Sequence, residues 1–309
     1  MTLSVRPDAC GRTDPGVVRT TNEDQFLIAE LTPSIVVHET SLDLDEPAGP
    51  VGGPPGYLFL VADGLGGRPA GERASRLLVE GILRSAPELL RPGALENQEE
   101  DLIVDLQRLL LQGQRSIEAD VKENPSREGM ATTLTLAYVR WPRLIVIHVG
   151  DSRAYLHRSG QLEQLTTDHT VDQTVQGPGG GSGPVRKVLW NVIGGKFPEV
   201  SPDVIRVRLE PGDELLLATD GLPRELPDRR IERILESSRD AQDACRRLLE
   251  EAKSAGGGDN LTVVDARWRK PESGEVPRVA SAEAKEETPT GETRRLATDV
   301  AGSPEVPAP

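Results

Sequence analysis

The chain has 309 residues and a formal net charge of −14, which argues against nucleic-acid binding because that function needs lysine and arginine to neutralise phosphates. Its apolar runs are too short to cross a bilayer and no signal peptide is recognisable, so we expect a cytoplasmic protein without a membrane span. Two cysteines exclude a disulfide framework and a four-cysteine zinc site.

Apolar periodicity predicts strands and helices in an irregular order along the chain. The predicted strands cover residues 25–31, 57–62, 131–139, 144–148, 154–157, 204–209, 214–218 and 261–266. Apolar residues at helical spacing predict helices over residues 70–90, 102–121 and 240–252. Consecutive strands joined by short turns form antiparallel hairpins, and strands segregated from helices predict a layered α+β fold.

Two segments differ in composition from the rest of the chain. Residues 42–56 are rich in proline and glycine and predict a long surface loop, which follows an apolar stretch at 34–38 compatible with a short strand. Residues 269–309 hold almost no large apolar side chains, so they cannot offset the entropy cost of ordering and are predicted to be a disordered tail. The folded domain is therefore expected to span residues 1–268.

Acidic residues border the ends of several predicted strands. They are Glu23, Asp24, Asp63, Asp151, Asp220 and Asp259. Each alone is explained by ordinary turn chemistry, but carboxylates that converge at strand ends repel one another unless cations neutralise them. Oxygen ligands select Mg²⁺ or Mn²⁺, whereas the four histidines lack the spacing of a zinc site. The pattern therefore favours a site for hard cations over a zinc site.

Six short motifs follow one another along the chain. They read DPGVVRTTNED at 14–24, VADGLGG at 61–67, GMATT at 129–133, HVGDSR at 148–153, GDELLLATDGL at 212–222 and GDNLT at 258–262. In this order they resemble the motifs of the metal-dependent (type 2C, PPM-type) protein serine/threonine phosphatases of bacteria. The resemblance covers residues 10–267 and implies a four-layer αββα sandwich, in which two antiparallel β-sheets are flanked by helix pairs.

The same resemblance implies a binuclear Mn²⁺ or Mg²⁺ centre at one end of the sandwich. Asp63 would bridge both ions, and the carbonyl oxygen of Gly64 would ligate one of them. Asp220 and Asp259 would hold the other ion. Asp151 matches the position that contributes to a third, weaker metal site in bacterial members of the family.

The resemblance also implies functions for residues around the metal centre. Glu23 and Asp24 would act in the outer sphere of the metals. Arg19 would clamp the substrate phosphate, since a guanidinium can pair with two phosphate oxygens at once. Leu65 stands where relatives in higher organisms often carry a histidine, so no side-chain general acid is expected there. Residues 168–195 are expected to form a flap over the active site.

The implied activity is hydrolysis of phosphoserine and phosphothreonine on proteins by water activated at the binuclear Mn or Mg centre. Such an enzyme would serve signal transduction by opposing a Ser/Thr kinase, and its partners would be that kinase and its phosphoprotein substrates. A catalytically silent phosphopeptide-binding module on the same fold is one alternative, and a two-metal hydrolase of small phosphate esters is another. A silent copy usually loses a ligand, whereas Asp63, Asp220 and Asp259 are all present.

Overall fold

The computed structural model describes residues 6–32, 35–40, 56–65, 70–90, 99–176, 182–195 and 200–269. These residues belong to one compact unit, Met1–Lys270. The predicted tail beyond residue 269 and residues 42–55 of the predicted loop lie outside the described residues, whereas Gly56, the last residue of that predicted loop, begins a strand.

The described elements alternate irregularly between strands and helices. The strands are β1 (Asp8–Asp14), β2 (Gln25–Leu31), β3 (Ile35–Thr40), β4 (Gly56–Ala62), β5 (Gly64–Leu65), β6 (Ala131–Thr132), β7 (Leu134–Arg140), β8 (Arg143–Val149), β9 (Arg153–Arg158), β10 (Gln161–Gln164), β11 (Thr170–Gln176), β12 (Ser182–Leu189), β13 (Ile193–Gly194), β14 (Asp203–Arg208), β15 (Glu214–Ala218) and β16 (Leu261–Arg267). The α-helices are α1 (Ala70–Ser85), α2 (Glu99–Glu123), α3 (Gly221–Glu225), α4 (Asp228–Ser237) and α5 (Ala241–Ala255).

Two large antiparallel sheets form the centre of the fold. One has the strand order β1-β16-β15-β9-β10, and the other has the order β14-β8-β7-β4-β2-β3. An apolar core that includes Phe59, Leu217 and Val264 lies between the two sheets. Helices α1 and α2 pack on the outer face of the six-stranded sheet, and α4 and α5 pack on the five-stranded sheet. The predicted αββα sandwich is therefore confirmed.

Alternation along the strands explains why the sequence reveals the central strands so clearly. In β16, Val263 packs toward α5 while Val264 packs into the core between the sheets. Because both faces of a central strand are buried, its sequence becomes a continuous apolar run. The edge strands carry polar residues at positions that are half-buried in β1 and half-buried or exposed in β10, and neither strand was predicted.

The helices begin and end close to their predicted bounds. At the start of α5, Asp240 accepts a hydrogen bond from the backbone N–H of Asp243 at 2.7 Å, which satisfies one free donor of the first turn. Helices α3 and α4 were not predicted, since α3 is a single short turn and the charged sequence of α4 buries only Ile231, Ile234 and Leu235. None of the described helices combines the length and apolarity needed to span a membrane.

Trp268 closes the core between the two sheets, and its replacement by alanine is expected to cost about 3–5 kcal/mol of unfolding free energy. The side chain is fully buried, meets the ring of Phe59 edge-on at 6.3 Å and stacks on Trp141 at 6.2 Å. Urea denaturation would measure the loss. Trp190→Ala is the matched control because that tryptophan is 48% exposed, and an equal loss in both variants would contradict the packing argument.

Candidate active site

An open cleft of about 440 Å³ lies where strands of both sheets end. Six of the eight predicted site residues line it, namely Arg19, Glu23, Asp63, Gly64, Asp220 and Asp259, whereas Asp24 and Asp151 do not. Antiparallel register explains this convergence: Gln25 at the start of β2 pairs with Ala62 at the end of β4, and Ala218 at the end of β15 pairs with Val263 near the start of β16. Acidic residues distant in sequence are thereby brought to one edge of the sandwich.

The carboxylates of the cleft perturb one another strongly. Burial raises the pKa of Asp63 well above its ordinary value, and the neighbouring charges of Asp24, Asp220, Asp151 and Asp259 raise it further. Burial, followed by the charge of Asp151, raises the pKa of Asp220 to about 8. Burial likewise raises the pKa of Asp24 to about 7. Such a cluster is costly to ionise unless cations neutralise it.

Two arginines pair with the outer carboxylates of the cluster. Arg19 reaches both oxygens of Asp259, with Nε 2.9 Å from Oδ1 and Nη2 3.1 Å from Oδ2. Arg224 donates from Nη1 to Asp259 Oδ2 at 2.8 Å and forms an ion pair with Asp220 Oδ2. With the guanidinium groups so placed, no three acidic, histidine or cysteine side chains of the described ranges are arranged to hold a metal ion.

The chemistry of the cluster nonetheless fits a hard divalent cation. The available donors are carboxylate and carbonyl oxygens, which Mg²⁺ and Mn²⁺ prefer. Asp24 Oδ1 and Asp151 Oδ1 are buried and have no hydrogen-bond partner. Buried polar atoms are almost always satisfied in folded proteins, so these two oxygens mark places where a ligand or water would be stabilised.

The GMATT motif positions Asp63. The backbone N–H of Asp63 donates to Thr133 Oγ1, and the Asp63 carbonyl accepts from Thr133 N and Thr132 Oγ1, each at 2.9 Å. Thr133 Oγ1 also lies 2.8 Å from Ser152 Oγ, next to Asp151. This hydrogen-bond chain connects the ends of β4 and β8, so the backbones that carry Asp63 and Asp151 are held together.

Asn260 holds the segment that carries Arg19 and Glu23. Its Oδ1 accepts from the backbone N–H of Glu23 at 2.9 Å, and its Nδ2 donates to the carbonyl of Thr21 at 2.8 Å. The backbone of this segment passes so close to Asp259 that position 16 must be glycine. Its φ is +80°, and a Cβ there would lie 2.2 Å from the Asp259 carbonyl oxygen. Asn260 belongs to the GDNLT motif, but its sequence context did not predict this positioning function.

Gly64 and Glu23 bring two oxygens to one point above the start of α1. A Cβ on Gly71 would lie 2.7 Å from Glu23 Oε2 and 2.8 Å from the Gly64 carbonyl oxygen. Gly64 has no room for a side chain either, since a Cβ there would lie 2.2 Å from the Gly71 carbonyl oxygen. Close backbone contact therefore places these two oxygens together beside Gly71.

The segment predicted as a flap contains an antiparallel hairpin of β11 and β12. His169 anchors its base, since Nδ1 accepts from the backbone N–H of Gly150 at 3.2 Å and the ring packs on Trp190 at 4.7 Å. Beyond the base, Val171 and Val185 are exposed. The hairpin is thus attached next to Asp151, whereas its function as a flap stays a prediction.

His148 is a buried histidine in β8, and it is expected to make the protein less stable in mild acid. Burial and the neighbouring His169 lower the pKa of His148 to about 4. Between that value and its unfolded pKa of about 6.5, only the unfolded chain binds the proton, so stability falls as the pH drops through this window, by up to about 3 kcal/mol. Thermal melts of wild type and His148→Gln from pH 7 to 4.5 should show a weaker decline in the variant. Parallel curves would contradict the assignment.

Comparison with known proteins places the sequence in a characterised group. It matches the family described as protein phosphatase 2C over residues 51–260. The serine/threonine protein phosphatase PstP of Mycobacterium tuberculosis is 37% identical over 215 residues, which cover 68% of this chain and 40% of PstP. The serine/threonine phosphatase stp of Listeria monocytogenes is 32% identical over 213 residues, which cover 67% of this chain and 82% of stp. The matched region is thus less than half of PstP.

Similarity to a solved structure extends further along the chain. The crystal structure of the catalytic domain of PstP, in complex with two manganese ions, superposes with a TM-score of 0.61 at 29% identity. The superposition covers 85% of this chain and 99% of that domain. That share of the chain is larger than the region matched by the family, residues 51–260.

Proposed function

This chain belongs to the protein phosphatase 2C family, and from that premise we propose that it hydrolyses phosphoserine and phosphothreonine on proteins. The observation that carries the proposal is that Asp63 and Asp220 line one cleft, where the charges of Asp24 and Asp151 raise the pKa of both. A protein that only bound phosphopeptides would have no use for so costly a cluster of carboxylates.

Residues that line the cleft would hold two Mn²⁺ or Mg²⁺ ions. Asp63 and the carbonyl of Gly64 would serve one ion, and Asp63, Asp220 and Asp259 the other. When bound, the ions would supply Lewis acidity and a nucleophile generated from water near neutral pH. The manganese ions of the PstP catalytic domain support this assignment by similarity.

Three further acidic residues complete the proposed centre. Glu23 and Asp24 would act in the outer sphere, since Asp24 already accepts a hydrogen bond from Thr219 Oγ1 at 2.8 Å. Asp151 would contribute to a third, weaker cation site. Its unpartnered Oδ1 leaves an oxygen available for that purpose.

Arg19 would bind the phosphate of the substrate. Its guanidinium pairs with the Asp259 carboxylate through two nitrogens, and the same bidentate arrangement fits two oxygens of a phosphate. The side chain is 55% exposed at the rim of the cleft, so it can exchange one partner for the other. Leu65 also lines the cleft and offers no proton donor.

The proposed substrates are phosphorylated proteins, the proposed partner is a Ser/Thr kinase, and the proposed location is the cytoplasm. The open cleft suits a phosphorylated segment on a protein surface better than a small ester, which would be enclosed more closely. A Ser/Thr kinase would supply these substrates, which places the chain in signal transduction. Cys10 and Cys245 are buried and are not joined by a disulfide, as suits a reducing cytoplasm.

Release of phosphate from phosphothreonine, phosphoserine and phosphotyrosine peptides tests the proposal directly. We expect turnover of the first two with Mn²⁺ or Mg²⁺, little turnover of phosphotyrosine, and none after EDTA treatment. Restoring the cation should restore the rate. Full activity in the chelated protein, or tight phosphopeptide binding without turnover in Mn²⁺, would contradict the proposal, and the second result would favour the silent binding module.

A further inference from the structure

Arg224 lies in the acidic cleft but has no part in the proposed chemistry. It is the fourth residue after Asp220, and one turn of α3 returns its side chain over the Asp220 carboxylate. Its Nη2 pairs with Asp220 Oδ2, while its Nη1 lies 2.8 Å from Asp259 Oδ2. A single guanidinium therefore joins the two carboxylates that the proposed function assigns to one metal ion.

The backbone that carries Arg224 is firmly fixed. Leu222 is fully buried in the core beneath α5, and a Cβ on Gly221 would lie 2.0 Å from the Asn260 carbonyl oxygen. Glu225 Oε1 accepts from the backbone N–H of Gly258 at 2.8 Å. The Arg224 side chain, in contrast, is 55% exposed. The Arg224 side chain can therefore move away from the carboxylates while α3 stays in place.

The positive charge of Arg224 partly neutralises the acidic cluster. Its guanidinium contacts one oxygen of each of two carboxylates, Asp220 Oδ2 and Asp259 Oδ2. A divalent cation would neutralise the same carboxylates with twice the charge. The two cannot share them, because like charges a few ångströms apart repel and both would use the same oxygens.

We propose that Arg224 regulates metal loading of the cleft, because its guanidinium competes with divalent cations for Asp220 and Asp259. The inference rests on the proposed function, which assigns those two residues as ligands. It follows that the arginine raises the cation concentration at which the site fills. Exposed ion pairs are individually weak, so removing both contacts should tighten Mn²⁺ binding about three- to tenfold.

Calorimetric titration of Mn²⁺ into the EDTA-treated, dialysed full chain tests the competition without relying on turnover. Wild type is compared with Arg224→Gln and with the control Arg230→Gln. Arg230 is similarly exposed, at 48%, and pairs with Glu251 outside the cleft. The control removes the same charge and one ion pair without touching Asp220.

We expect Arg224→Gln to bind Mn²⁺ three- to tenfold more tightly than wild type and to show a larger rise in melting temperature on Mn²⁺ addition. Arg230→Gln should match wild type in both measurements. Equal or weaker binding by Arg224→Gln would overturn the inference and leave the proposed function standing. Absence of Mn²⁺ binding in all three proteins would overturn the proposed function, and the competition with it.

Discussion

Replacing Asp63 or Asp220 with asparagine is expected to lower kcat/KM for a phosphothreonine peptide by about a thousandfold or more. Asparagine keeps the size of the side chain but removes one of the charges that would hold the cations. It also relieves repulsion, because the charge of Asp220 raises the pKa of Asp63, and the charges of neighbouring aspartates raise the pKa of Asp220. The chelated variants should therefore melt no lower than chelated wild type while their activity is lost.

The contrast between activity and stability separates a ligand from a scaffold residue. Asp105→Asn is the control, since Asp105 pairs with Arg108 on the surface of α2 and lies outside the cleft. It should leave both kcat/KM and the melting temperature near wild type. Near-normal turnover in Asp63→Asn or Asp220→Asn would mean that the ligands are misassigned, and a collapse of the melting temperature would make the residue structural instead.

The sequence predicts that Asp63 and Asp220 lie at strand ends, because each directly follows an apolar run typical of a strand buried on both faces. The apolar runs before Asp63 and Asp220 correspond to β4 and β15, and the predicted bounds agree with the structure to within one residue. Strands β1 and β10 escaped prediction because an edge strand needs few apolar residues. The acidic cluster was therefore foreseeable, whereas the complete sheet was not.

The supporting network was hidden for a different reason. Asn260 acts through hydrogen bonds to backbone atoms of a segment more than two hundred residues away in sequence, and side-chain composition does not encode such a pairing. Thr133 has the sequence context of an ordinary strand residue, and only the structure shows that its hydroxyl accepts from the backbone N–H of Asp63. Arg224 was missed because α3 is too short for a periodic signal, so its return over Asp220 could not be inferred.

Arg19→Met is expected to lower kcat/KM for a phosphothreonine peptide by about ten- to a hundredfold, the range for losing a charge-assisted hydrogen-bonding pair. Methionine keeps an apolar stem at the rim of the cleft but has no donor for phosphate. Mn²⁺ binding should not weaken, because the arginine is a partner of Asp259 rather than a ligand. A combined assay of turnover and calorimetric Mn²⁺ titration measures both effects.

Arg19→Lys decides whether charge or geometry matters at this position. Lysine keeps the positive charge but offers a single point of contact, whereas the arginine already contacts both Asp259 oxygens in a forked arrangement. If the fork is what binds phosphate, lysine should restore only a small part of the lost kcat/KM. Full rescue by lysine would show that Arg19 acts only through long-range charge, and unchanged kinetics in Arg19→Met would remove it from the substrate site.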